Sequence, residues 1–154
     1  MGKIYQHRKL GSSLVNSRPK PFNGLRHLGL RVPNLEACED FYVNIIGMKV
    51  LNRASENLVY LTLGNDNLSL GRCKEGTSGD ANGGWMDHFG FVVDSKQDLE
   101  DWYRFMKAQG VELLDEPHDH RDGARSFHCK DPAGNIVQPL YHAAMSGQVF
   151  SRGD

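Results

Sequence analysis

The chain has 154 residues, 18 Lys and Arg against 19 Asp and Glu, a formal charge of −1 and 39% hydrophobic residues. A unit of this length buries roughly 68–70% of the surface its unfolded chain exposes, so folding requires neither a disulfide framework nor a structural metal. A near-zero charge without a basic block argues against nucleic acid and anionic membrane as partners, and there is no run of 18 apolar residues to span a bilayer.

In chain order, residues 1–23 are polar and basic, without the apolar stretch of a secretory signal, and predict a flexible N-terminal arm on a cytoplasmic protein. Three cysteines, Cys38, Cys73 and Cys129, with no CxxC pair, fit a reducing compartment, Cys38 and Cys129 serving as small core residues. From His27 to Val32 the residues alternate: Leu28, Leu30 and Val32 share one face of a strand, and His27, Gly29 and Arg31 share the other. A helix over Leu35–Ile45 follows, capped by Asn34 and closed by Gly47, and then extended runs at Met48–Asn52, Leu58–Leu63 and Asn67–Arg72. Residues 73–84, rich in Gly and small polar residues, read as a linker.

The second half repeats this order. A strand begins at His88, with Phe89, Phe91 and Val93 on the face opposite His88, and a helix over Lys96–Gln109 is capped by Asp94 or Ser95 and closed by Gly110. Extended runs follow at Val111–Leu114, Ser126–Lys130 and Asn135–Tyr141, the last two joined by the turn Asp131-Pro-Ala-Gly-Asn135. The run Glu116–Gly123, dense in His and Asp, has no evident register and reads as a solvated loop overhanging the site. Residues 143–154 form a C-terminal tail, whose terminal Arg152-Gly153-Asp154 is assigned no role.

The two halves are copies. Aligned at a constant offset of 61, His27–Tyr42 and His88–Tyr103 share His27/His88, Gly29/Gly90, Val32/Val93, Glu39/Glu100, Asp40/Asp101 and Tyr42/Tyr103. Six identities without a gap stand where about one would arise by chance. The prediction is an α+β domain over 24–142 made of two βαβββ modules, 24–72 and 85–141.

The segments LRHLGLRVPNLEACEDFYVNIIGMKVL, MDHFGFVVDS and DPAGNIVQPL, together with the duplication, resemble the vicinal oxygen chelate superfamily, which includes glyoxalase I, extradiol dioxygenases and the bleomycin and fosfomycin resistance proteins. The resemblance implies modules curled into a cup around one divalent ion (Fe, Mn, Zn or Ni), held from the first and last strand of each module. It places His27 and His88 at two ligand positions and Gln138 where the last strand usually supplies Glu. The fourth position, within Asn67–Arg72, offers Ser69, Leu70 or Gly71, none a good ligand, and Asp87 is directed away from the His88 face. His128, three residues before the turn, stands where relatives carry a metal-side Tyr and suits orientation of an anionic substrate or acid/base work. Arg121, Arg125 and Tyr141 are assigned to substrate binding.

Two readings of function follow. In the first, a metal-dependent enzyme chelates two adjacent oxygens of a small-molecule substrate; extradiol-type oxygenation is preferred over glyoxalase or epimerase chemistry because the Gln138 amide cannot accept a proton. In the second, a metal-free module sequesters an antibiotic-like ligand. Small two-module chains of this kind pair, so a homodimer is expected, and light scattering at micromolar concentration should give about twice the chain mass of 17.3 kDa.

Overall fold

The structure is a computed structural model and describes residues 24–74 and 86–148; the expected arm at 1–23, most of the linker and the end of the tail lie outside the described residues. The first module runs β1 (His27–Val32), α1 (Leu35–Asp40), β2 (Lys49–Ser55), β3 (Leu58–Thr62) and β4 (Asn67–Arg72). Asn34 caps α1 by accepting the Ala37 N–H at 3.1 Å. The helix continues through a π turn over Phe41–Ile45, and Gly47, at φ +88°, supplies the left-handed exit that a side chain would strain. The sheet order is β1-β4-β3-β2, with β1 and β4 parallel and the other neighbours antiparallel.

The second module runs β5 (Phe89–Val92), α2 (Lys96–Ala108), β6 (His118–Asp119), β7 (Ala124–Ser126), β8 (Cys129–Lys130) and β9 (Ile136–His142). Its sheet order, β5-β9-β7-β6 with β8 also on β9, repeats the first with β9 in the place of β4 and β6 in the place of β2. The fold is therefore the duplicated βαβββ arrangement that the repeat predicts.

Three details differ from expectation. The run Val111–Leu114 is reduced to a single bridge, Leu113 to Cys129, and the edge strand forms instead at His118–Asp119, inside the segment read as a loop. Asp122-Gly123 makes this pairing: Gly123 adopts φ +87°, His120 N–H donates to Ala124 O at 2.8 Å, and the hairpin sets His118 opposite Ser126. The expected strand Ser126–Lys130 is split at Phe127–His128. Phe127 N–H donates to Pro139 O at 3.3 Å, but proline has no N–H to return, and the His128 N–H turns to Asp115 Oδ1 at 2.5 Å. The tail as far as Gln148 is not free of the domain, because Ser146 Oγ donates to Val93 O at 2.6 Å and Gly147 N–H to Asp94 Oδ1 at 3.1 Å.

One core spans both modules. It joins Val32, Leu35, Cys38, Tyr42, Leu61 and Leu70 to Leu99, Met106, Phe127, Cys129 and Val137. Across it, Tyr42 OH donates at 2.7 Å to Oδ2 of Asp131, a carboxylate only 4% exposed. All three cysteines are unbridged. Burial, aided by the Asp131 charge, pushes the Cys38 and Cys129 thiols up to about 12 from 9.0, and burial first, then Asp131, pushes the Tyr42 hydroxyl far above its ordinary 10.0.

All three shifts favour the protonated group in the folded state, so the stability they contribute is complete below the unfolded values and falls as pH rises. Urea midpoints should therefore hold up to about pH 9 and then drop through the 9 to 12 window. The double variant Cys38→Ala/Cys129→Ala should show a shallower drop over the lower part of that window; an unchanged slope there would contradict the assignment.

Candidate functional site

Strand parity gathers the polar chemistry. In each sheet the more strongly apolar face meets the helix and core, and the opposite face of the first module carries His27, Gly29 and Arg31 of β1 beside Asn67, Ser69 and Gly71 of β4. In the second module Gly90 pairs with Gln138 as Gly29 pairs with Ser69, so Ser69 is the counterpart of Gln138. The common β7–β9 and β8–β9 register puts His128 directly opposite Gln138; in the first module Tyr60 stands opposite Ser69. All six histidines among the described residues lie on these faces by parity or by contact with residues that do.

Oxygen acceptors orient the rings. His27 Nδ1 lies 2.6 Å from Asn67 Oδ1, His88 Nδ1 2.5 Å from Asp87 Oδ2, and His128 Nδ1 2.7 Å from Asp115 Oδ2. An amide or carboxylate oxygen can only accept, so each Nδ1 is the donor, and in the neutral ring the lone pair stands on Nε2. His88 precedes the first ladder residue of β5, which frees Asp87 from strict alternation and lets it reach the ring. His88 and His128 meet edge to face, with ring centroids 5.6 Å apart.

Gln138 is oriented as well. Its Nε2 donates to Ser126 Oγ at 2.9 Å, and that fully buried hydroxyl shares a further hydrogen bond of 2.6 Å with His120 Nε2. The amide oxygen is left as the outward acceptor. His27 and His88 line one cavity of about 310 Å³ between β1 and β5, with Leu28, Leu68, Phe89 and Phe91 as its apolar wall.

Of the residues expected at the site, His27 and His88 share this cavity, and Gln138 and His128 share the face that His88 borders. Arg121 is exposed in the β6–β7 turn. Arg125 and Tyr141 are not brought to the site: they pair with each other across β7 and β9 on the other face, where Glu100 at 2.9 Å and Asp119 at 3.4 Å hold Arg125 and the core packs Tyr141. A cation on the site face of the first module is Arg31, which lies across Gly71 so closely that any Cβ there would collide with its guanidinium. Parity with His27 marked its face. Ser126, His120 and Asp115 were also missed; the Asp-Gly turn signal was available for the first two, whereas Asp115 is set by tertiary contact alone.

Duplicated βαβββ modules, each presenting an imidazole from the start of its first strand on an open sheet face, define the class of fold. A profile of the Glyoxalase/Bleomycin resistance protein/Dioxygenase superfamily matches residues 24–138, and the chain belongs to that superfamily. It is 31% identical to an uncharacterized protein of Pseudomonas aeruginosa, over 76% of this chain and 87% of that one. It is also 31% identical to the metallothiol transferase FosB of Staphylococcus haemolyticus, over 75% of this chain and 81% of that one. A lactoylglutathione lyase from Agrobacterium tumefaciens shares the fold at a TM-score of 0.67 and 24% identity, covering 81% of this chain and 98% of that one.

Members of this superfamily typically hold a divalent metal, and the donor set here fits one: imidazoles fixed at Nδ1 and a carboxamide fixed at nitrogen suit a borderline N/O-binding ion. Among the described residues no three His, Cys, Asp or Glu side chains close around a point by themselves, so an ion held here would need a further donor such as the Gln138 amide oxygen.

The two strand glycines separate the modules experimentally. A Cβ on Gly90 would meet Gln138 O at 2.6 Å and Leu140 Cδ2 at 2.7 Å, whereas one on Gly29 would meet nothing within 4 Å. Gly90→Ala should cost about 1–3 kcal/mol in urea denaturation; Gly29→Ala should unfold with the wild type.

Proposed function

We propose that the protein is a divalent-metal-dependent enzyme that chelates two adjacent oxygens of a small substrate, with His27, His88 and Gln138 as metal-holding residues. The observation that carries this reading is the pair of repeat-related imidazoles, each locked at Nδ1 by an oxygen, lining one cavity. The bound ion supplies Lewis acidity toward the oxygens it chelates. Arg31, four residues along β1 from His27 on the same face, offers the cation first sought at Arg121 and Arg125, and Leu28, Leu68, Phe89 and Phe91 limit the water in the cavity that His27 and His88 line.

Gln138 cannot take a proton, which disfavours chemistry that needs a carboxylate base there. That argument led to an extradiol-type oxygenation, but it equally admits transfer of a thiol, whose ordinary pKa near 8.5 already provides some thiolate at neutral pH. The resemblance to staphylococcal metallothiol transferases favours transfer, and we place it ahead of oxygenation. The thiol would come with the substrates, because Cys38 and Cys129 are buried with pKa values pushed up to about 12. Each site is complete within one chain in this reading, and the expected homodimer remains a proposal about its outer surfaces.

A metal-free binding module is the second reading, favoured by the absence of a carboxylate from both last-strand positions, Ser69 and Gln138. Metal analysis of the dialysed full chain separates the two. The enzyme reading expects about one ion per chain, a loss of tenfold or more in affinity for His27→Ala and for His88→Ala, and tighter binding for Gln138→Glu. Metal-free protein whose ligand binding ignores chelators would establish the sequestration module instead.

A further inference from the structure

Charge is divided unevenly along the chain. Residues 1–23 carry Lys3, Arg8, Lys9, Arg18 and Lys20 and no Asp or Glu, which leaves 13 Lys and Arg against 19 Asp and Glu in residues 24–154, a net of −6. This basic segment lies ahead of the superfamily match, which starts at residue 24, and it joins the domain at Gly24.

The domain carries an acidic, aromatic groove. It has a volume of about 560 Å³ beside the first turns of α2, an apolar floor of Val92, Trp102 and Phe105, and the carboxylates of Asp94, Asp98 and Asp101 along it. Trp102 and Phe105 meet edge to face with ring centroids 5.7 Å apart. Asp101 is paired with Arg104, whereas Asp94 and Asp98 make no ion pair among the described residues. Asp94 Oδ1 accepts the Gly147 N–H at 3.1 Å and Asp98 Oδ2 the Ser95 hydroxyl at 2.6 Å, which leaves one oxygen of each exposed carboxylate to solvent. At Val92 and Asp94 the groove runs into a second depression of about 610 Å³, bordered by Leu63, Met145 and the root of the N-terminal segment at Gly24 and Leu25. Leu63, Val92, Phe105 and Met145 are each between 39% and 48% exposed and Leu25 is 97% exposed. Large apolar side chains thus mark one uncovered path from the root of the segment to α2.

We propose that the basic N-terminal segment docks along this path, with Arg18–Phe22 seated in the acidic, aromatic groove of its own domain. Charge, shape and reach each support this occupant. Arg18 and Lys20 supply the cations that Asp94 and Asp98 lack, and either gains further attraction over the Trp102 ring. Pro19 and Pro21 disfavour helix at the residues before them, so Arg18-Pro19-Lys20-Pro21-Phe22 enters as extended chain, the form that aromatic-lined grooves receive with little conformational entropy to lose. From Gly24 back to Arg18 an extended chain covers about 20 Å, against about 15 Å for α2 from its cap to Phe105. Exposed ion pairs contribute little one by one, and covering the apolar floor supplies the rest. Attachment at the start of the path gives the segment of the same chain a higher effective concentration than that of a second copy. The inference is independent of the metal-dependent reading.

The test couples lysine amines to carboxylates with a carbodiimide in an equal mixture of unlabelled and nitrogen-15-labelled whole chains, and mass spectrometry identifies which residues, on which chains, were joined. Lys20 should link to Asp94 or Asp98 within one isotope, and the yield should fall about fivefold or more in about 0.5 M NaCl and in Arg18→Glu, which leaves Lys20 in place. In a Trp85→Phe background Trp102 is the only tryptophan, and acrylamide should quench it about twofold more strongly when Arg18→Glu/Lys20→Glu is added. The Trp102 indole N–H resonance provides the same comparison should that background fail to fold. Links between isotopes would give the groove to the segment of a second copy and overturn the proposal. Lys20 links scattered over the surface, or Trp102 signals that ignore the Arg18 and Lys20 substitutions, would overturn it as well.

Discussion

The buried carboxylate of Asp131 joins the two copies of the repeat. Its Oδ1 accepts the backbone N–H groups of Ala133 and Asn135, each at 2.9 Å, and its Oδ2 accepts Asn135 Nδ2 at 2.8 Å and Tyr42 OH at 2.7 Å. Three of these bonds close the turn before β9, and the fourth reaches 89 residues back to the π turn of the first module. A buried charge is tolerated when its lone pairs are filled in this way, and removing one partner costs more than the bond itself contributes. The position of β9, and with it Gln138, is thereby tied to the first module.

Duplication gave both sheets the same geometry and left their chemistry free to diverge. At matched positions the first module carries Ser69 opposite Tyr60 and the second carries Gln138 opposite His128. The glycines differ in the same sense: Gly29 has open space above it, whereas Gly90 lies against the backbone of Gln138 and cannot gain a methyl group without moving it. Donor groups are concentrated on the second sheet, while the first contributes His27 and the guanidinium of Arg31. Two nearly symmetric halves therefore present an asymmetric polar face.

The sequence alone determined the duplication, the α+β class, the βαβββ order of each module, the left-handed glycines at 47 and 110, and the face on which His27 and His88 stand, because each is written in short-range periodicity or in the offset between copies. Other features were decided by the tertiary structure. Arg125 and Tyr141 sit one residue out of phase with the site face, a fact that depends on where β7 starts and on its register with β9. The edge strand moved from Val111–Leu114 to His118–Asp119 because a hairpin closed by Gly123 could pair with β7, a long-range choice between two candidate strands. Asp115 reaches His128 across 13 residues through a break that Pro139 helps to impose. Periodicity fixes which way a side chain points once its strand is placed; which strands pair, and which second residue then orients each imidazole, is settled only when the packed sheet brings distant segments together.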